Sequence, residues 1–432
     1  MPVQGPDGRT TTGTGAVGAS GALPIGSDEF DRHLVSAEFV ADPYADLRRM
    51  QSEAPIYWSD SIGGWLITRY DDIMSTIKNT TEYSNEGRLG RAAAHLPATD
   101  RQRLRVFEEH YATKGLLHSD PPDHTRLRRF TGKAFAPSRI EGVKPYIAEV
   151  TESLLDECAR EGGMEVISGL ASALPVAVLC ELMGLPAGDQ QLLHKWADQL
   201  LGFQGINKPA LDLLLAAQSA IVEIREYLGE VLRERREHPG TDLLSAFVMS
   251  EQGPQGLSEP EIINTCQTLL VAGHETTTSL IGNGLALMLG EREQWQRLVD
   301  DRSLVRPAIE EIVRYESPVA RQPRRVTQAG ALGDAALGEG EMVFQMLNAA
   351  NRDPAHFDSP DVFRVDRSPN QHVGFGFGAH FCVGAPLARA EGEVAFMALL
   401  ERFPDLKMDD PVLRWDSSKA NSRVLSSLTV TL

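Results

Sequence analysis

One cysteine stands in a setting that could do chemistry. Cys382 closes the run Phe375-Gly376-Phe377-Gly378-Ala379-His380-Phe381-Cys382-Val383-Gly384, with no second cysteine nearby. A lone thiolate can ligate a metal, act as a nucleophile, or simply fill a core. As a nucleophile it would need a base, and His380, two residues away, points to the opposite side of an extended turn. Gly376, Gly378 and Gly384 permit positive φ and close backbone approach. Such a turn lets amide N–H groups converge on sulfur and stabilise its negative charge. The helix expected after Cys382 adds a dipole that favours an anion. From these residues alone, ligand, nucleophile and core cysteine all remain open.

Three other constellations stand out. Ala272-Gly273-His274-Glu275-Thr276-Thr277-Thr278 interrupts an apolar helical run with a glycine, a carboxylate and three hydroxyls. Glycine costs about 1 kcal/mol in a helix interior, and each threonine can bond back to the i−4 carbonyl. A buried helix that breaks its own rules in mid-span is a candidate site. His124 and Arg128 follow the turn Asp120-Pro121-Pro122-Asp123 and share a helix face at i and i+4. With Arg126 and Arg129 they also fit an ordinary solvated basic helix. Glu311 and Arg314 form an i, i+3 pair, which on a surface would contribute a few tenths of a kcal/mol.

Other motifs fail on inspection. His274-Glu275-x-x-Thr278 lacks the second histidine of a zinc protease. The glycines at 374, 376 and 378 lack the spacing and the following Lys-Ser/Thr of a phosphate loop. No G-x-S-x-G is present for a serine hydrolase.

Several elements must hold these residues. Ser258-x-x-Glu261, with Pro260 in the first turn, is a capping box. It starts a helix running to about Gly290, roughly 50 Å long. Pro307–Tyr315 carries Glu311 and Arg314, and a helix over Pro386–Glu401 follows the cysteine turn. Residues 139–250 read as several amphipathic helices. Ile56–Trp58 and Trp65–Thr68 read as a hairpin around Gly63-Gly64, and the tail from Leu413 reads as further hairpins. Residues 84–118 read as a long irregular loop of the kind that often covers a site. The fold class is therefore mainly α with small β-sheets. Residues 1–27, small and polar, are expected to be disordered, and 28–432 to form one domain.

Composition narrows the classes. The 432 residues are 42% hydrophobic, enough for a large core, and carry a net charge of −18. That charge argues against nonspecific nucleic-acid binding. Four scattered cysteines make no disulfide framework and fit a reducing, cytoplasmic compartment. No apolar stretch is uninterrupted enough to span a bilayer.

Taken together, the motifs resemble those of the cytochrome P450 family. Phe375-x-x-Gly378-x-His380-x-Cys382-x-Gly384 is similar to the family's haem-binding signature. Glu311-x-x-Arg314, Ala272-Gly273-x-Glu275-Thr276-Thr277 and Asp120-Pro121-Pro122-Asp123-His124-x-x-x-Arg128 resemble three more, in the family's order, over roughly residues 30 to 432. Gly374, where an apolar residue is common, and the loop from Gly330 to Asp334 depart from the pattern. The resemblance implies a cytochrome P450 fold with the long helix crossing over haem b. It implies Cys382 as axial thiolate, with Phe375, Gly378, Ala272 and Gly273 against the cofactor. His124, Arg128, Arg324 and His380 would hold the propionates. Glu275 and Thr276 would be the acid–alcohol pair that delivers protons, and Thr276, bonded back toward Ala272, would open the helix there. Glu311, Arg314 and Arg367 would form a buried structural network.

The expected activity is hydroxylation or epoxidation of a small, largely apolar substrate, with O2 and with electrons from NAD(P)H through an external ferredoxin and its reductase. A peroxide-driven or oxidative-coupling enzyme and a haem sensor are the alternatives. Arg126, Arg129 and Lys133 offer a basic spot for an acidic ferredoxin. Val271, Val319 and Ala320 are expected in the substrate pocket. Arg321 is either an anchor for an acidic substrate or a solvent-facing cation.

Overall fold

The computed structural model describes residues 22–251 and 255–432, together with the paired backbone segments 3–4 and 10–11. The expectation of disorder over 1–27 falls mostly outside these residues.

The chain is organised on one helix, Glu259–Gly290. Its start is the expected capping box: Ser258 and Glu261 satisfy each other's backbone N–H groups. Ile262–Gln267 and Thr277–Ala286 are buried on every side, which no amphipathic surface helix would allow. Between these buried stretches, Val271, Ala272, Gly273, His274 and Thr276 are at least partly accessible, with Ala272 the most open. A helix that opens in its middle, while the stretches on either side lie in the core, borders an internal cavity. Contrary to expectation, the helix remains α-helical through this segment.

Helices pack around it. Ala173–Met183 crosses at Gly273, where a Cβ would stand 3.2 Å from Leu179 Cδ1. Ala385–Arg402 lies against it at Gly392, where a Cβ would come 3.4 Å from Leu280. Val305–Tyr315 packs close to Gly284 through Ile312. The helices Gln190–Leu201 and Leu211–Glu237 form a layer on the far side of the cavity. A five-stranded sheet flanks the helical body in the order Ile56–Ser59, Gly64–Ile67, Met342–Met346, Arg321–Val326, Tyr83–Ser84. The pair Gly64–Ile67 and Met342–Met346 is parallel; the other pairs are antiparallel.

Two expectations fail in detail. Residues 84–118 are not an irregular loop: they contain the helices Ala98–Arg103 and Arg105–Ala112. Phe107 packs there against Tyr111 and Phe203, so tertiary contact stabilises a segment whose charge hid its apolar face. The tail forms one hairpin, Arg414–Trp415 with Leu425–Ser427. Its last strand, Thr429–Thr431, pairs instead with the distant segments Gly163–Glu165 and Lys407–Met408.

Glu311 and Arg314 are fully buried. Both oxygens of Glu311 receive Arg314, at 2.7 and 2.8 Å, and Arg367 Nε, at 2.9 and 3.0 Å. The two guanidiniums spend their remaining donors on the carbonyls of Asn351, Asp358, Ser359, Pro360 and Val362. Asn351 carries the restraint onward, since its Oδ1 accepts from Val373 N–H at 2.8 Å, just ahead of the cysteine turn. Gly374 follows, and a Cβ there would stand 2.5 Å from Val313 Cγ1. The departure at 374 thus reflects a helix packed directly on the backbone. Replacing Glu311 with Gln keeps the shape but leaves two buried cations without a counter-charge. This should cost about 3–5 kcal/mol, read as a lower urea midpoint; an unchanged midpoint would mean that the network is dispensable.

Candidate active site

The cavity under the central helix has two chambers. The inner is lined by Cys382, Phe375, Gly384, His124, Arg128 and Leu387 among others. The outer is lined by Arg88, His118, Val271, Glu275, Arg321 and Arg324 among others. They share Leu117, Thr268, Ala272, Thr276, Val319, Gln322 and His380.

The cysteine turn delivers Sγ to the inner chamber. Cys382 N–H donates to Phe375 O at 2.8 Å, closing the loop, while Gly376 and Gly378 take φ of 70° and 68°. Cys382 is accessible, but to the cavity rather than to bulk solvent. Burial pushes its thiol up; the Gly384 and Ala385 amides on sulfur, with Arg128 and Arg389, pull it back. Phe375 lies beneath the Arg389 guanidinium, 4.5 Å from ring centre to carbon. Gly378 shapes the turn and does not line either chamber.

Cations gather at one end. The rings of His124 and His380 are 3.9 Å apart, and the Nε2 of each is buried without a hydrogen bond, that of His380 standing 4.0 Å from Asp120 Oδ1. Burial and Arg128 push His124 down to about 4. Burial drags Arg324 down to about 9, with Arg88 adding to the effect, and it holds Arg88 at about 10. Arg88 Nε is also unpartnered. Among the described residues the carboxylate acting on Arg88 and Arg324 is Asp120, already bonded to the Ser84 hydroxyl and the Asn85 N–H. Arg88, Arg128 and Arg324 against one Asp120 leave two positive charges uncompensated. A haem brings two carboxylates, so this chain's residues fit the group in charge as well as in the thiolate aimed at the cavity. Arg88 was missed in the sequence because it lies in no motif.

On the opposite wall the Thr276 hydroxyl donates to Ala272 O at 2.6 Å, as expected. Glu275 is buried and pairs with Lys419 at 2.8 Å. Lys419 in turn reaches Asp198 at 3.3 Å. Burial works to lower Lys419, but Glu275 and Asp198 outweigh it and hold the ammonium above its ordinary value. Side-chain exposure falls from 74% at Asp198 through 16% at Lys419 to 9% at Glu275, a graded path from solvent inward. No motif announced Lys419, which lies in the turn before the last strands.

Val271 and Val319 line the cavity, whereas Ala320 faces a separate outer pocket beside Met346 and Gly205. Arg126 is not part of a free basic spot: it is tied to Glu261 of the capping box and to Gly256 O at 3.1 Å. Arg129 and Lys133 remain exposed.

A cysteine at the floor, a cationic end and a hydroxyl–carboxylate roof on one long helix fit a haem-thiolate oxygenase. The family model for Cytochrome P450 matches residues 190–427. Cytochrome P450 107B1 of Saccharopolyspora erythraea is 40% identical over 385 residues, covering 87% of this chain and 92% of that protein. Mycinamicin IV hydroxylase/epoxidase of Micromonospora griseorubida is 34% identical, covering 87% and 91%. A solved structure of P450BioI with an acyl carrier protein bearing hexadec-9Z-enoic acid has a TM-score of 0.83 at 33% identity, covering 92% of this chain and 100% of that one. The chain belongs to the cytochrome P450 family. It is a haem-thiolate monooxygenase whose cofactor is haem b on a cysteine thiolate. Among the described residues no helix is long and apolar enough to cross a membrane.

Proposed function

We propose that residues 28–432 act as one haem domain that hydroxylates or epoxidises a largely apolar molecule seated between Thr276 and the outer chamber. The observation that carries this is Cys382 Sγ facing the same cavity as Thr276 and the cationic end. When bound, haem supplies the reductive activation of O2: one oxygen atom enters the substrate and the other leaves as water, using two electrons and two protons.

The chain's residues provide the rest. Cys382 is the ligand, and the Gly384 and Ala385 amides that donate to its sulfur limit how strongly it gives electron density. Arg88, Arg128, Arg324, His124 and His380 hold the propionates. The Thr276 hydroxyl, fixed by Ala272 O, keeps lone pairs free to accept from a water in the cavity. Glu275 exchanges protons with that water, and Lys419 and Asp198 connect it to solvent. Lys419 is a positioning residue, since it acts through Glu275. Val271 and Val319 shape the apolar wall, in keeping with relatives that include a mycinamicin IV hydroxylase/epoxidase and a vitamin D(3) 25-hydroxylase.

Electrons come from an external ferredoxin and its reductase, with Arg129 and Lys133 as the exposed cations available to an acidic partner. The compartment is the cytoplasm.

Reduced protein with carbon monoxide should show the red-shifted Soret band of thiolate ligation, and Cys382→Ser should abolish it; a band that survives the substitution would remove Cys382 from the role. Glu275→Gln should leave that band intact yet slow substrate-linked O2 consumption about 100-fold, with a larger solvent isotope effect. Unchanged turnover would exclude Glu275 from proton delivery.

A further inference from the structure

Arg321 begins the strand Arg321–Val326 and is 4% exposed. Other buried arginines of this fold have carboxylates. Arg314 and Arg367 share Glu311, and Arg423 and Arg352 meet Glu316. Arg88 and Arg324 feel Asp120. Among the described residues Arg321 has no carboxylate partner. Its Nε donates to Asn421 Oδ1 at 2.9 Å, one terminal nitrogen donates to Gly205 O at 3.0 Å, and its carbon lies 5.5 Å from the Phe344 ring centre. Three neutral contacts hold the guanidinium still without neutralising it. Guanidinium carries five N–H donors, so several are left over.

Position gives this charge a use. Arg321 lines the outer chamber together with Thr276, Val271 and Leu117, and it also lines the next pocket outward, with Ile206 and Lys208. It shares the outer chamber with Arg88 and Arg324, but those cations act on one another and not on it. It does not line the chamber that holds Cys382. Burial lowers it only to about 10, so it remains a cation at neutral pH. An isolated buried charge is costly unless something pairs with it, and a fixed planar fork matches a carboxylate in two parallel hydrogen bonds.

We infer that Arg321 anchors the carboxylate of an amphiphilic acid substrate at the junction of the two pockets, with its apolar body directed along Val271 and Leu117 toward Thr276. This rests on the monooxygenase reading and names the substrate class within it.

The test uses the haem-loaded protein and follows the spin-state shift on titration with matched pairs: dodecanoic acid and its methyl ester, and 4-phenylbutanoic acid and its methyl ester. At least one acid should bind about tenfold or more tightly than its ester. Arg321→Gln should bring that ratio to about one, and Arg321→Lys should retain part of it. Acid and ester binding equally in every pair, no acid binding at all, or a preference that survives Arg321→Gln would each overturn the inference. If Arg321→Gln fails to load haem, Asn421→Ala, which frees Nε and keeps the charge, should weaken the acid severalfold and spare the ester; an equal loss for both would mean that Arg321 is only a clamp. The carbon monoxide spectrum of the same samples separates the two readings. A normal thiolate band without acid preference removes only the anchor, whereas a missing band removes the monooxygenase reading itself.

Discussion

Buried positive charge around an internal cavity is the constraint on which this structure turns. Three arginines and two neutral histidines gather where the two chambers meet, and among the described residues Asp120 is the carboxylate acting on Arg88 and Arg324. Left so, the arrangement would be strongly unfavourable, because isolated cations out of water cost several kcal/mol each. On the function proposed above, the two carboxylates of bound haem would complete it. The single positive charge of a ferric porphyrin core would be cancelled by the Cys382 thiolate, so the balance would close with haem in place. Folding, cofactor binding and the position of the reacting centre are then coupled through the same charges.

The remaining elements keep the two poles of the cavity in register. The central helix brings Thr276 and Glu275 to the roof because the stretches on either side of its open middle are buried. The Glu311 network fixes the floor, passing from Arg314 to Asn351 and from Asn351 to Val373, two residues ahead of the cysteine turn. These two devices differ in kind. The helix is held by apolar burial, which is tolerant of small changes, whereas the floor is held by a closed set of charged hydrogen bonds. Loss of one partner there leaves the others unpaired.

The sequence was legible where chemistry is local. The cysteine turn, the interrupted helix, the capping box at Ser258 and the His124–Arg128 face each fit within a few turns of chain, and each occupies the place its pattern indicated. What was illegible depended on distant partners. Arg126 read as a free surface cation because Glu261, which captures it, lies 135 residues away. Arg88 and Lys419 belong to no motif, and only the fold brings them to Arg324 and Glu275. The helices within 84–118 escaped because dense charge masked Phe107 and Tyr111, whose packing on Phe203 organises them. Ala320 and Arg321 are adjacent, yet only Arg321 reaches the active-site chamber, a consequence of where the strand begins.

The charge balance can be tested without turnover. Haem-free protein would be titrated with haem and, separately, with haem whose two propionates are methyl esters. If the cationic end is held by those carboxylates, the diester should bind at least about 100-fold more weakly, since two charge-assisted pairs are lost. Affinities equal to within about threefold would contradict it, and would mean that Arg88, Arg128 and Arg324 are neutralised in some other way.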